Sequence, residues 1–151
     1  MPESRNFIES VYAMLRDNPI IAVLVAKEPE DAVACGRALV SGGVRAVELA
    51  LRTPRALDCV EALVSEVPEL HVIAGTVLTL TQVDEVRQRG CTSAVAPGLN
   101  PRIVRHALDS GLSFAPGVMT PSDIEAALEL GCTTLKFFPA KPSGGLAILT
   151  S

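Results

Sequence analysis

Short apolar runs alternate with longer stretches whose apolar positions recur three or four residues apart. The runs are rich in Val, Ile, Leu and Ala. They predict strands at 20–25, 46–51, 71–74, 93–96, 113–115 and 134–138. The stretches between them predict amphipathic helices at 30–40, 55–67, 80–89, 101–109 and 121–130. Glycine follows most of these helices, as Gly42-Gly43, Gly90, Gly111 and Gly131, where a left-handed C-cap would sit. Helix starts carry the opposite signature. Thr53-Pro54, Asn100-Pro101 and Thr120-Pro121 each pair a capping side chain with proline at the first helical position. Thr79 and Thr81 are candidate caps for the helix at 80–89.

The later strand-helix units recur about every 20–25 residues, as in a compact repeat. Apolar strands alternating with helices imply a parallel sheet covered by helices. An open doubly wound sheet and a (β/α)8 barrel both satisfy that pattern. No glycine-rich phosphate loop follows the first strand, which favours the barrel. The expected fold class is therefore α/β of the TIM-barrel type, incomplete with about six βα units where a closed barrel has eight. The chain is expected to form a single, partial barrel domain over residues 1–151.

Composition narrows the function classes. The 151 residues are 48% apolar and 20% charged, a globular balance. A net charge of −4 offers no basic surface for nucleic acid. Cys35, Cys59, Cys91 and Cys132 are widely spaced and form no ligand motif, as in a reduced, cytoplasmic protein. The segment 1–18 carries charges throughout and lacks the apolar core of a signal peptide, and no apolar run is long enough to span a bilayer.

Charged residues inside apolar strands mark the candidate chemistry. Lys136 interrupts Thr134-Leu135-Lys136-Phe137-Phe138, and Glu48 interrupts Val47-Glu48-Leu49-Ala50-Leu51. An ammonium among Leu and Phe is costly to desolvate unless it is paired or gives up its proton. Lys136 is thus either a snorkelling or paired structural lysine or an amine nucleophile. Glu48 is either its structural partner, or that of Arg52, or a general acid/base. The carboxyl ends of the strands, where α/β folds bind ligands, add Arg52, Thr76, Pro97-Gly98 and Pro116-Gly117. Arg52 is a surface side chain or a fork for a carboxylate. Thr76 is a turn residue or a hydroxyl donor to the same carboxylate. Pro97 and Pro116 are turn formers that shape the wall of a site. His71 falls at the amino end of its strand, and His106 falls on a helix surface, so neither suggests a triad or a metal site. Lysine, glutamate and a carboxylate-binding arginine together suit Schiff-base chemistry on a 2-oxo acid, which calls for no metal or other cofactor.

Several motifs also carry a family resemblance. The run Gly42-Gly43-Val44-Arg45-Ala46-Val47-Glu48-Leu49-Ala50-Leu51-Arg52-Thr53 resembles the second strand of the 2-keto-3-deoxy-6-phosphogluconate / 4-hydroxy-2-oxoglutarate aldolases. Ala74-Gly75-Thr76-Val77-Leu78, Ala96-Pro97-Gly98, Ala115-Pro116-Gly117-Val118-Met119-Thr120 and Leu135-Lys136-Phe137-Phe138-Pro139-Ala140 follow in the family's order and at similar spacing. The resemblance implies a class I aldolase on a (β/α)8 barrel, usually a homotrimer. It implies release of pyruvate together with glyceraldehyde 3-phosphate or glyoxylate. It also implies Lys136 as the Schiff-base lysine, Glu48 as the proton shuttle, and Arg52 and Thr76 as holders of the pyruvate carboxylate.

Members of that family continue for two further strands. Gly144-Gly145 still resembles the continuation, and residues 146–151 then close the sequence. A glycine-rich phosphate loop, a serine and the closing strands are therefore expected to be missing. That expectation carries three others: an open edge beside Lys136, weak activity and a tendency to aggregate. Three readings follow, with the aldolase first. The others are an inactive remnant, or non-catalytic chain that binds a 2-oxo acid or assembles with a partner, and an unrelated α/β protein in which Lys136 is structural.

Overall fold

Five strands pair in chain order, each parallel to its predecessor: β1 (Ile21–Leu24), β2 (Ala46–Ala50), β3 (His71–Gly75), β4 (Ser93–Val95) and β5 (Ser113–Ala115). The computed structural model in which they are seen describes residues 15–16 and 19–150. Most of the segment 1–18, read above as lacking a signal peptide, lies outside the described residues, as does Ser151. Helices α1 (Pro29–Ser41), α2 (Ala56–Glu66), α3 (Leu80–Gln88) and α4 (Pro101–Asp109) make the crossovers between consecutive strands. This is the βαβ repeat expected from the alternation of apolar runs and amphipathic stretches. No described helix is long and apolar enough to cross a membrane.

The core lies between the outer face of the sheet and these helices. Ala56, Cys59, Val60 and Leu63 of α2 are all buried, at helical spacings of three and four residues. Val47 and Leu49 of β2 and Val72 and Ala74 of β3 face the same cluster. Full burial of a side chain such as Leu63 contributes roughly 1.5–3 kcal/mol. Every residue of β2 is buried, its inward-facing positions included.

Local capping chemistry sets most of the boundaries. Thr79, Asn100 and Thr120 accept hydrogen bonds from the backbone N–H of Gln82, Arg102 and Asp123. Thr120 and Asp123 form a full capping box at the start of α5 (Pro121–Glu129). Thr81, the other candidate cap for its helix, lies inside α3. Gly43, Gly90, Gly111 and Gly131 adopt positive φ after their helices, as a left-handed cap requires. The Thr53-Pro54 start is corrected. Thr53 donates its hydroxyl to the carbonyl of Ala26, 2.7 Å away, and the helix begins three residues later at Ala56.

Pro116 divides what would otherwise be one strand. Before it, β5 pairs with β4; after it, β6 (Gly117–Val118) pairs with β7 (Lys136–Phe137). Proline offers no N–H to the ladder, so the chain bends and changes partners there. The last predicted strand, 134–138, is thus shortened to two residues, carried by the bonds from Lys136 N–H to Pro116 and from Phe138 N–H to Val118. A short α6 (Leu146–Leu149) closes the described chain.

Candidate active site

Side chains of alternate residues in a strand face the same way. The register Val23–Glu48–Ile73–Ser93 therefore runs across four strands on the inner face of the sheet. A cavity of about 320 Å³ opens along that face, with Ile21, Val23, Ile73 and Leu135 among its walls. Glu48 and Lys136 contribute its charged groups. Val23 remains 69% exposed, so the cavity is open on the β1 side.

Within this cavity the two charged interruptions of the apolar pattern meet. Lys136 donates from Nζ to both carboxylate oxygens of Glu48, at 2.9 Å to Oε1 and 2.8 Å to Oε2. Glu48 is only 8% exposed. Lys136 is half-buried, and its Nζ lies 5.1 Å from the centre of the Phe138 ring, where the electron-rich face offsets part of the lost hydration. A pair so withdrawn from water contributes little net stability, because desolvation offsets the attraction. Its chemical capacity is clearer: a proton can pass between a nucleophilic nitrogen and a carboxylate without crossing solvent.

The other predicted site residues occupy the carboxyl ends of neighbouring strands. Arg52 follows β2 by two residues and is exposed; its guanidinium makes no hydrogen bond or ion pair among the described residues. Thr76 follows β3 directly, half-buried, with φ of +62°. Leu51 N–H donates to Gly75 carbonyl at 2.8 Å, tying these two strand ends together. Pro97 follows β4 and lines a second cavity, of about 250 Å³, with Leu78, Leu99 and Phe114. Pro116 is buried, and its carbonyl accepts the Lys136 N–H at 2.9 Å, so it anchors the backbone of the lysine rather than forming an outer wall.

Two glycines that the sequence pattern does not single out shape the site. A Cβ on Gly75 would lie 2.5 Å from Glu48 Oε1, and a Cβ on Gly117 would lie 2.2 Å from the Pro97 carbonyl oxygen. In the sequence Pro116-Gly117 reads as a turn former and Gly75 as the end of the third strand. The only available signal was a glycine at the end of an otherwise apolar strand.

Among the remaining titratable groups, His71 reaches a residue that lines the cavity, and the others lie away from it. His71 opens β3 with Nε2 3.0 Å from Ser93 Oγ, and burial holds its imidazole below the ordinary value. His106 is not a bare surface residue: its Nε2 lies 2.8 Å from Asp84 Oδ1, between α4 and α3. Burial raises the thiols of Cys59, Cys91 and Cys132, which keeps them protonated and unreactive at neutral pH.

Residues 11–151 match the family model described as KDPG and KHG aldolase. The chain is 39% identical over 145 residues to the KHG/KDPG aldolase of Escherichia coli K12, covering 96% of this chain and 68% of that protein. Its fold superposes on the crystal structure of the 2-keto-3-deoxy-6-phosphogluconate aldolase of Zymomonas mobilis ZM4 with 3-phosphoglycerate. There the TM-score is 0.87 and the identity 37%, over 93% of this chain and 66% of that one. A KDPG aldolase from Legionella pneumophila, with pyruvate captured at low pH as a covalent carbinolamine intermediate, gives a TM-score of 0.86 at 36% identity. That match covers 91% of this chain and 67% of that one. The chain thus spans about two thirds of the length of these relatives.

Proposed function

The chain belongs to the KDPG and KHG aldolase family, and from that premise we propose that it is a class I aldolase acting on a pyruvate-yielding 2-oxo acid. The substrates are 2-keto-3-deoxy-6-phosphogluconate, 4-hydroxy-2-oxoglutarate or both. The carrying observation is the double hydrogen bond from Lys136 Nζ to the buried Glu48 carboxylate. The pyruvate held covalently in the Legionella relative supports the same chemistry. An intact amine–carboxylate pair also favours this reading over a non-catalytic chain.

The reaction follows from the pair. Glu48 takes a proton from Lys136, and the freed amine attacks the ketone carbon to give a carbinolamine. Glu48 returns the proton to the carbinolamine hydroxyl, which leaves as water, and a protonated imine remains. For cleavage, Glu48 removes the proton of the C4 hydroxyl as the C3–C4 bond breaks. The bonding electrons move into the imine, giving an enamine and a free aldehyde. Glu48 then protonates the enamine carbon, and water hydrolyses the imine to release pyruvate and the lysine.

Arg52 and Thr76 hold the carboxylate of the 2-oxo acid, the arginine through two parallel N–H donors and the threonine through its hydroxyl. Holding the ketone near Nζ is worth roughly 7–11 kcal/mol of barrier at best. Pro116 fixes the lysine backbone, and Pro97 shapes the neighbouring cavity. A single partial barrel domain over 1–151, a cytoplasmic location and homotrimeric assembly of the completed barrel belong to the same proposal.

Incubation with pyruvate and borohydride tests it. Mass spectrometry should find one pyruvate-derived adduct, on the peptide containing Lys136, and none in Lys136→Ala. A wild-type chain that forms no adduct would overturn the proposal.

A further inference from the structure

We propose that Gly75 is a positioning residue for Glu48: its missing side chain is the space that lets the carboxylate reach Lys136. This rests on the reading of Glu48 as the proton shuttle. Glycine at a buried position of a parallel strand forfeits packing and costs backbone entropy, so its presence there needs a reason. Conformation does not supply one, because Gly75 is not among the residues with positive φ. Space does. Gly75 lies two residues beyond Ile73, the register partner of Glu48, on the same inner face. The Glu48 side chain lies across it: a Cβ there would sit 2.5 Å from Oε1, 2.7 Å from Cγ and 3.0 Å from Cδ.

All three of those atoms belong to one side chain and none to backbone. Alanine at this position therefore leaves the ladder in place and displaces Glu48. Ordinary carbon contact distances require a shift of about 1 Å. A shift of that size opens hydrogen bonds that now measure 2.8 and 2.9 Å. None of the contacted atoms belongs to Lys136, and its backbone stays paired with Pro116 and Gly117. The amine can still capture pyruvate while the proton transfers slow.

Exchange of the pyruvate methyl hydrogens for deuterium, followed by NMR, reads the proton transfer without the cleavage step. In Gly75→Ala the maximal exchange rate should fall on the order of 100-fold, with half-saturating pyruvate changed less than about threefold. In a Glu48→Gln background, adding Gly75→Ala should change the residual rate less than about threefold, because the glycine acts only through the carboxylate. Independent, multiplicative losses would show a general structural role and overturn the inference. Wild-type exchange that Glu48→Gln abolishes and Gly75→Ala leaves intact would overturn it while sparing the proposed function. No exchange and no adduct in the wild type would overturn both. If Gly75→Ala lowers the urea midpoint too far to assay, the shorter Glu48→Asp side chain in the same background should restore folding, and failure to restore it would count against the inference.

Discussion

Lys136 Nζ reaches both carboxylate oxygens of Glu48 across 88 residues of chain. Each group is the charged exception in its own strand, and each offsets the other's desolvation cost. The consequences of separating them are therefore asymmetric.

Lys136→Met should leave the buried carboxylate of Glu48 without a counter-charge and destabilise the chain by roughly 3 kcal/mol. Adding Glu48→Leu should recover most of that loss, since two apolar side chains fill the space without an orphan charge. Urea midpoints of the wild type, the single variant and the double variant check this. A double variant no more stable than the single one would show that the pair is not effectively buried.

Thr76 carries a strained backbone, with φ of +62° on a β-branched residue. Relief of strain by Thr76→Gly is worth about 1–3 kcal/mol, and the added freedom of the unfolded chain cancels about 0.4–1 kcal/mol of that. The variant should be as stable as the wild type or more so. It should nevertheless need roughly tenfold more pyruvate to saturate the borohydride adduct, because the proposed hydroxyl bond to the substrate carboxylate is lost. Unchanged saturation would restrict Thr76 to a turn role.

Gly117→Ala and Gly98→Ala should differ sharply. A Cβ on Gly117 meets the Pro97 carbonyl oxygen at 2.2 Å, whereas a Cβ on Gly98 meets nothing within 4 Å. The first change forces two backbone segments apart and should cost roughly 2–3 kcal/mol. The second should fall within about 0.5 kcal/mol of wild type. Thermal or urea unfolding of the pair makes the comparison.

His71 should impose a pH dependence on stability. Burial lowers its imidazole below the ordinary value of 6.5, so the folded chain resists a proton that the unfolded chain accepts. Its contribution is complete above that value and is lost as pH falls through it toward the folded-state value. His71→Gln should lose less stability than wild type between about pH 7.5 and about pH 5.5. Equal losses would mean that other groups set the slope.

The sequence exposed features whose cause is local. Asn100 and Thr120 cap the helices that their following prolines announce. Thr53 carries the same signal and fails, because its hydroxyl is claimed by Ala26, 27 residues away. The charged interruptions at Glu48 and Lys136 were visible one by one, and strand order brought them into the same mouth. The sequence offers Lys136 and Arg52 alike as partners of Glu48, and the choice of Lys136 depends on how the sheet curves. Gly75 and Gly117 were hidden for a similar reason: a glycine records that space is needed, but not what occupies it. The break at Pro116 went unread because each side of it looks like an ordinary strand end.

The same break sets the dynamics of the lysine. β2, which carries Glu48, is hydrogen-bonded on both edges within the five-stranded sheet. β7, which carries Lys136, hangs from β6 by a two-residue ladder. Amide exchange should accordingly be slow at Glu48 and faster at Lys136 and Phe138, whose N–H groups carry the β6–β7 bonds. The Glu48–Lys136 contact is then a clasp between a rigid half and a labile one.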